Sequence, residues 1–275
     1  MQVAQSIEQL RLLTGEVRAL HKGFLTNFYL DEAKHGVWIA KGDCFFERVG
    51  ETLFVVKRSD TFWNVFYSST TQDQLSDDFV QLKALYPAQT MMIDVVGREA
   101  QCSPIVDLFC RCGCVEATSL VRMTRMTVPM DYEVDSSVRK ATEIDIPHVS
   151  RLLHEYFDAK TEQIPYDEEL LDYARQGHVL LCEEQGCMAG FLIYEMNATT
   201  LYLRYWFTHP DFRDRGVGSR LLRRFFEEGK DTKRQLFWVI RSNENAIKRY
   251  KHYGFAEENM FDYVMKVESL VFRVV

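Results

Sequence analysis

A glycine-bearing turn between an apolar run and a helical pattern contains residues suited to binding a phosphate group. The turn and the first residues after it include Arg213, Arg215, Gly216, Val217, Gly218, Ser219 and Arg220. Glycine lets the backbone approach a ligand without a Cβ in the way, and a helix N-terminus presents unpaired N–H groups and a positive dipole end to an anion. The arginines add charge-assisted donors. A lone Gly-x-Gly pair more often marks an ordinary turn, so this motif needs support from elsewhere in the chain.

A second motif presents a phenol on one face of a predicted helix. Either Ser242 or Asn243 can cap this helix, which follows a predicted strand over residues 235–240. Gly254 suits the left-handed position that ends a helix. On a 3.6-residue period Tyr250 lies on the same face as Ala246, a small residue that leaves room for a ligand. Taken alone, Tyr250 would be interpreted as a half-buried aromatic residue that anchors the helix.

The two motifs together resemble the GNAT superfamily of acyl-CoA-dependent N-acetyltransferases. The matching patterns are Arg213-x-x-Gly216-x-Gly218 and Asn243-x-x-Ala246-x-x-x-Tyr250-x-x-x-Gly254-Phe255. The resemblance extends over about residues 136–270, half of the chain. It implies an α/β fold with a mixed sheet, arranged as the GNAT acyl-CoA N-acyltransferase fold in the C-terminal half. It also implies direct transfer of an acetyl group from acetyl-CoA to an amine.

The resemblance assigns roles to individual residues. The pyrophosphate of acetyl-CoA would bind backbone N–H groups around Gly216, and the pantetheine would bind along the strand end at Phe207. Tyr250 matches the family position that protonates the departing thiolate, and a phenol with a pKa of ~10 can donate to a thiolate whose conjugate acid has a pKa of ~8.5. The expected acetyl-CoA-binding residues are Phe207, Thr208, Arg213, Arg215, Gly216, Val217, Gly218, Ser219, Asn243, Ala246 and Tyr250.

The general base is not evident from the sequence. Many family members carry a glutamate on the strand before the glycine turn, but residues 200–207 contain none. Glu195, on the preceding strand, is the nearest carboxylate and becomes the second expected catalytic residue, with an exposed strand-end charge as the alternative. His209 is another candidate because imidazole titrates near neutral pH. A base is unnecessary if the amine arrives partly neutral.

The acceptor is also open. Arg204, if it points inward, would suit a carboxylate-bearing acceptor such as an amino acid. Other residues are expected to line or flank the acceptor cleft, although aromatic side chains at such positions more often belong to a core: Tyr156, Phe157, Tyr166, Tyr202, Tyr205 and Trp206.

The N-terminal half shows a similar order of predicted elements. Helices are predicted over residues 3–22 and 74–86 and up to Gly113, and strands over residues 42–48, 52–58, 62–67 and 91–96. Matching Gly113 to Gly254 carries Asn243, Ala246 and Tyr250 onto Cys102, Ile105 and Phe109, and Arg213, Gly216 and Gly218 onto Gln72, Leu75 and Asp77. We therefore predict a degenerate GNAT-like domain over residues 1–130 and a GNAT domain over residues 136–275, joined by a linker over residues 129–137. An unrelated α+β domain is the alternative for the first half.

Composition limits the remaining possibilities. The chain has 275 residues and a net charge of −7, which argues against non-specific nucleic-acid binding and mildly favours a cationic amine. Apolar runs are too short for a membrane helix, and seven cysteines, an odd number, suit a reducing compartment, so we expect a cytoplasmic protein. The Cys110-x-Cys112-x-Cys114 cluster lacks zinc-site spacing, so no metal is expected. Two other functions remain open: a non-catalytic acyl-CoA sensor or interaction module, and an acyltransferase for a longer acyl donor.

Overall fold

The computed structural model describes residues 1–128, 132–133 and 135–268, so Pro129, Met130, Asp131 and Val134 of the predicted linker lie outside the described residues. The chain divides into two compact units. Of the described residues, unit 1 comprises Met1–Leu120, Lys160–Gln163 and residues 259–268. Unit 2 comprises Val121–Ala159 and Ile164–Glu258.

The elements of the first half of the chain include one helix and three strands that the sequence patterns did not predict, namely the second helix and the first, second and last strands. Their bounds are β1 Gln2–Val3, α1 Ile7–Arg18, β2 Leu25–Thr26, α2 Glu32–Ala40, β3 Cys44–Val49, β4 Thr52–Arg58, β5 Trp63–Ser69, α3 Gln72–Leu85, β6 Met91–Gly97, α4 Glu99–Arg111 and β7 Val115–Met126.

The second half has the same order around a longer glycine turn, except that its second helix, which is short, stands where the first half has the strand β2. Its elements are β8 Val138–Lys140, α5 Ile146–Tyr156, α6 Ala159–Glu162, α7 Asp167–Arg175, β9 Val179–Glu184, β10 Cys187–Asn197, β11 Thr200–Thr208, α8 Val217–Glu228, β12 Arg234–Ile240, α9 Glu244–His252 and β13 Ala256–Val267. Within the described residues, no helix has the length and apolar character needed to span a membrane.

Each unit contains a mixed sheet, which confirms the predicted fold class. Unit 1 has the strand order β1-β3-β4-β5-β6-β13, and unit 2 has the order β7-β12-β11-β10-β9-β8. The β5–β6 and β11–β12 pairs are parallel, whereas the neighbouring hairpins are antiparallel. The strands β7 and β13 each cross the boundary between the units. One part of each strand therefore belongs to unit 1 and the other part to unit 2.

Both units contain a pair of parallel strands that separate after a few residues. In unit 2, β11 pairs with β12 only from Thr200 to Tyr202. In unit 1, β5 pairs with β6 only at Trp63 and Asn64. The duplication hypothesis required such a V-shaped pair in the first half, and unit 1 has one.

The two halves agree in register at their ends but differ at the phosphate turn. Gly113 and Gly254 both adopt left-handed φ values, +83° and +84°, and each is followed at the same spacing by a twelve-residue strand. The connection from β5 to α3 is only residues 70–71, whereas that from β11 to α8 is residues 209–216. The predicted equivalence of Gln72, Leu75 and Asp77 with the glycine turn is therefore wrong, because unit 1 lacks the turn.

Candidate active site

A β-bulge on β11 reorients side chains beside the V-shaped opening of unit 2. The β10–β11 register shifts between Ile193, which pairs with Tyr205, and Tyr194, which pairs with Leu203. Arg204 is therefore the extra residue of the bulge. Because side chains alternate along a strand, the bulge places Trp206 and Tyr202 on opposite faces of the sheet.

The N-terminus of α8 is built to leave its backbone N–H groups free of side-chain caps. Gly216 stands at the N-cap with φ +77°, and no side chain of the described residues caps this helix. A Cβ at Gly218 would lie 3.1 Å from Cζ2 of Trp206 and 3.4 Å from Oγ1 of Thr208. Glycine at this position therefore allows the first turn of α8 to pack closely on β11. Val217 is buried, so only its backbone is suited to a ligand.

The arginines of the turn have different surroundings. Arg220 forms an ion pair with Glu184 and donates to the Ser137 hydroxyl at 2.8 Å. Arg213 and Arg215 are both exposed, and Arg215 lies 3.8 Å from Glu184. Arg220 therefore stabilises the turn, and Arg213 and Arg215 are the arginines on the outer side. The sequence pattern contained no signal that Glu184 would lie beside two of the three arginines.

Helix α9 is capped at both ends as the sequence predicted. Asn243 is the N-cap, and its side-chain oxygen accepts from the Ala246 N–H at 3.1 Å. Gly254 follows the C-cap with φ +84°. The Asn243 side chain is thus engaged in a capping bond, so its role in the motif is to fix the helix that presents Tyr250.

Tyr250 lies between two aromatic residues. Its ring centroid is 4.5 Å from that of Phe237 and 5.7 Å from that of Trp206. Burial raises the pKa of Tyr250 to about 12, opposed by the nearby charge of Arg249. Its hydroxyl has no hydrogen-bond partner among the described residues. The phenol is therefore protonated at neutral pH and available to donate a hydrogen bond.

Glu195 belongs to a polar network on the other face of the sheet. It accepts from the Tyr173 hydroxyl at 2.5 Å and lies 3.4 Å from Nε of Arg204. Arg204 also lies over the Tyr202 ring at 5.1 Å. Glu195 is therefore not an isolated strand-end charge, and Arg204 already has a carboxylate partner within the chain. Tyr173 gave no signal in the sequence.

Among the other aromatic candidates Tyr205 belongs to the core, and the rest are half-buried or exposed. Phe157 packs on Phe207, with ring centroids 6.3 Å apart, and both contribute to the cluster beneath α5 and α7. Tyr156 is the more exposed residue, at 41%, and its ring lies 4.8 Å from Phe207 and 6.0 Å from His209. His209 accepts from the Asp211 N–H at 3.3 Å. Among the other predicted residues, Ser219 bonds the Tyr253 hydroxyl at 2.7 Å.

The corresponding positions of unit 1 are filled with buried side chains. Cys102, Ile105 and Phe109 on α4 are all at least nine-tenths buried. Phe109 contacts Phe79 and Tyr67, with ring centroids 5.1 and 5.9 Å apart. In addition, Thr71 caps α3 by accepting from the Gln74 N–H at 3.1 Å. Unit 1 therefore has neither a phenol at the position of Tyr250 nor an uncapped helix after β5.

The family match identifies the domain that contains the candidate site. Residues 146–255 match the model of the acetyltransferase (GNAT) family. This region is a GNAT acetyltransferase domain. An uncharacterised N-acetyltransferase of Methanocaldococcus jannaschii is 32% identical over 89 residues, which cover 29% of this chain and 39% of that protein. The match thus spans well under half of the relative's length, and it supports acyl transfer at the level of the family.

Solved structures extend the likeness to the fold of most of the chain. A GCN5-related N-acetyltransferase from Sphaerobacter thermophilus has a TM-score of 0.60 at 15% identity, covering 79% of this chain and 76% of that one. A tandem GNAT protein from the clavulanic acid biosynthesis pathway has a TM-score of 0.58 at 12% identity, covering 96% and 95%. At these identities the likeness shows a shared fold, and it confirms the predicted GNAT fold.

Proposed function

We propose that unit 2 is an N-acetyltransferase that moves an acetyl group from acetyl-CoA to a primary amine by direct attack. The family match supports acyl transfer, and the resemblance favours acetyl as the group and a small-molecule amine or amino acid as the acceptor. The observation that carries the proposal is the convergence of two features on Trp206: the uncapped first turn of α8 at Gly218 and the phenol of Tyr250.

The cofactor-binding part of the proposal rests on backbone groups. The first N–H groups of an α-helix have no partner within the helix, so those of Val217, Gly218 and Ser219 are suited to the pyrophosphate. Arg213 and Arg215 would add charge on the outer side of the turn. Beyond Tyr202 no strand of the described residues pairs with the β12 side of β11, so the strand edge toward Phe207 and Thr208 is suited to the amide groups of pantetheine. Asn243 and Ala246 would act by capping α9 and by leaving space beside it.

Two side chains are assigned roles at the reacting atoms. Acetyl-CoA supplies an activated thioester whose thiolate leaves when an amine attacks. Tyr250 would donate its proton to that thiolate, because its hydroxyl is protonated and has no partner within the described chain. Glu195 would accept the proton of the amine, directly or through water, with Tyr173 and Arg204 fixing the orientation of its carboxylate.

The proposal extends to the organisation of the chain. We assign residues 1–130 to a degenerate GNAT-like domain and residues 136–275 to the acetyltransferase domain. Support comes from the shared element order, the V-shaped strand pair in both units and the matching glycines Gly113 and Gly254. We propose a cytoplasmic enzyme with no metal, no nucleic-acid partner and no membrane partner; the acidic net charge supports only the exclusion of nucleic acid.

Calorimetric titration with acetyl-CoA tests the proposal directly. We expect one site per chain in the wild type and its loss in Gly218→Leu, because the new side chain would meet Trp206 and obstruct the first turn of α8. Gly15→Leu is the matched control, since a Cβ at Gly15 has no heavy atom within 4 Å. An absence of binding in the wild type would refute acetyl transfer and favour the interaction-module alternative.

A second measurement, of turnover with different acyl donors, tests acyl preference and catalysis. Turnover with acetyl-CoA, butyryl-CoA and octanoyl-CoA on a panel of amines would distinguish acetyl transfer from transfer of a longer chain. A sensor that only binds acyl-CoA would show tight binding, no turnover on any amine and no effect of Tyr250→Phe.

A further inference from the structure

The V-shaped opening of unit 1 contains a segment of the chain itself. Beyond Asn64 the strand β5 no longer pairs with β6, and β2 takes the free edge. Leu25 pairs with Ser69 and Thr26 pairs with Ser68 in antiparallel register. We refer to residues 25–28, which are β2 and the two residues after it, as the cleft strap.

Asn27 joins the two separated strands. Its backbone N–H donates to the Tyr67 carbonyl at 3.2 Å, and its side-chain oxygen accepts from the Tyr67 N–H at 2.6 Å. Its side-chain NH₂ donates to the carbonyl of Asp94 on β6 at 2.9 Å. One amide side chain therefore satisfies backbone groups on both sides of the opening, where unpaired groups would be costly to bury.

The rest of the cleft strap is anchored by Thr26 and Phe28. The Thr26 hydroxyl donates to the Tyr67 carbonyl at 2.7 Å and accepts from the Phe28 N–H at 2.9 Å. Phe28 is 4% exposed, and its ring lies 6.1 Å from Phe66 and 5.0 Å from His35. The strap is thus held by backbone bonds, side-chain bonds and burial at once.

Unit 2 differs at the same place in the fold. Among the described residues, β2 is the only strand that joins a sheet outside the main strand order, and it pairs with β5 and not with β11. The helix after β5 is capped by Thr71, whereas the helix after β11 begins at an uncapped glycine, Gly216. Unit 1 therefore pairs the backbone groups at the edge of β5 and in the first turn of α3 with other parts of its own chain. In unit 2 the corresponding groups of β11 and α8 are left available for a ligand.

We propose that the cleft strap permanently occupies the opening of unit 1, so that unit 1 is a ligand-independent scaffold and the chain binds a single acyl-CoA, in unit 2. Only the second clause rests on the proposed function. The first concerns the hydrogen bonds of unit 1 alone and can be tested without any ligand.

Hydrogen exchange followed by mass spectrometry on the full chain tests the strap. In the wild type without ligand we expect strong protection of residues 64–69 and 91–97. Asn27→Ala removes the bonds from the side chain to both strands, so exchange in the two peptides should accelerate about tenfold or more. Gln72→Ala, an exposed change at the start of α3, is the control and should alter neither peptide.

A second variant keeps the test decisive if Asn27→Ala does not fold. Asn27→Asp retains an acceptor for the Tyr67 N–H but loses the donor to Asp94, so exchange should accelerate in residues 91–97 more than in 64–69. Unchanged exchange in both folded variants would overturn the proposal that the strap occupies the opening. Weak protection in the ligand-free wild type would overturn it as well.

Ligand binding separates this inference from the proposed function. With acetyl-CoA, added protection should be confined to peptides of unit 2, at a stoichiometry of one per chain. A second equivalent bound, or a change in exchange over residues 25–28 on addition of acetyl-CoA, would overturn the inference. If no acetyl-CoA binds, the proposed function fails, while strong strap protection would still support the ligand-independent role of unit 1.

Discussion

The acidity of Tyr250 follows from its surroundings. A phenol between Phe237 and Trp206 is poorly hydrated, and desolvation disfavours the phenolate, which raises the pKa to about 12. The same desolvation would raise the pKa of a thiol bound beside it, so the ability of the phenol to protonate a thiolate is partly preserved. The protonated form, which is the donor, persists until the pH approaches about 12.

Replacing Tyr250 with phenylalanine removes the donor while keeping the ring. We expect kcat to fall by about 100-fold, since a general acid contributes roughly that much or more, with acetyl-CoA affinity within about twofold of the wild type. Steady-state kinetics and calorimetry check this. Tyr29→Phe, at a position 76% exposed in unit 1, is the control. Equal kcat values for Tyr250→Phe and the wild type would remove the acid role.

Glu195 calls for a variant that distinguishes chemistry from packing. Glu195→Gln keeps an acceptor for the Tyr173 hydroxyl but removes the charge beside Arg204. If Glu195 is the base, kcat/KM should fall by at least about tenfold near neutral pH and recover partly at high pH, where the free amine is more abundant. Arg204→Lys is a companion variant that retains the Glu195 carboxylate. Its kcat/KM should therefore show no such recovery at high pH. If kcat/KM of Glu195→Gln changes with pH in parallel with that of the wild type, Glu195 has a structural role and is not the base.

At the scale of elements, local sequence signals predicted the ends of the helices at the site, but they did not predict which residues the site contacts in other elements. Asn243 and Gly254 mark the ends of α9 through capping chemistry that depends on adjacent residues, so both could be predicted from sequence. The Arg220–Glu184 pair and the contact of Gly218 with Trp206 depend on how separate strands and helices pack, so no local pattern encodes them. Helix α2 was missed because Gly36 and the buried His35 break a simple apolar stripe.

Matched glycines at the ends of α4 and α9 allow one physical argument to be tested twice. Gly113 and Gly254 both have left-handed φ values, which a Cβ disfavours by about 1–2 kcal/mol. Gly254→Ala and Gly113→Ala should each lower the free energy of unfolding by that amount, measured by denaturant titration. Gly36→Ala, inside α2 with no heavy atom within 4 Å of the added Cβ, should be neutral or stabilising. A similar loss in all three variants would contradict the backbone explanation.

At the scale of the whole molecule, the two units share most of their element order and a separating pair of parallel strands, but they differ in what lies at that opening. Most helices and strands were predictable because apolar periodicity marks them in both halves, whereas the V-shaped strand pair was expected only from the family resemblance. The cleft strap was not predictable, because residues 25–28 contain no motif and act only where β5 and β6 separate. Unit 1 also carries two half-buried carboxylates that lie close together on the neighbouring strands β6 and β13.

Asp94 on β6 and Asp262 on β13 should make the stability of unit 1 depend on pH. Asp94 pairs with Val264 and Asp262 with Val96, so the two carboxylates are diagonal neighbours on one face. Burial raises the pKa of Asp94 to about 6, opposed by the hydrogen bond from Gln163 and the charge of Lys34. Burial, together with the charge of Asp94, also raises the pKa of Asp262 well above its ordinary value.

Because both pKa values are higher in the folded state than in the unfolded chain, the stabilising contribution is complete below about pH 4 and is lost as the pH rises through about 6. We expect the free energy of unfolding of unit 1 to fall by about 2 kcal/mol between pH 4 and pH 7.5 from this source. Asp262→Asn removes one charge permanently and should flatten that dependence, whereas Asp60→Asn, at an exposed position of unit 1, should not. Denaturant titrations across this range, read by exchange of residues 91–97, measure the effect. A slope that Asp262→Asn leaves unchanged would show that this pair does not set the pH response.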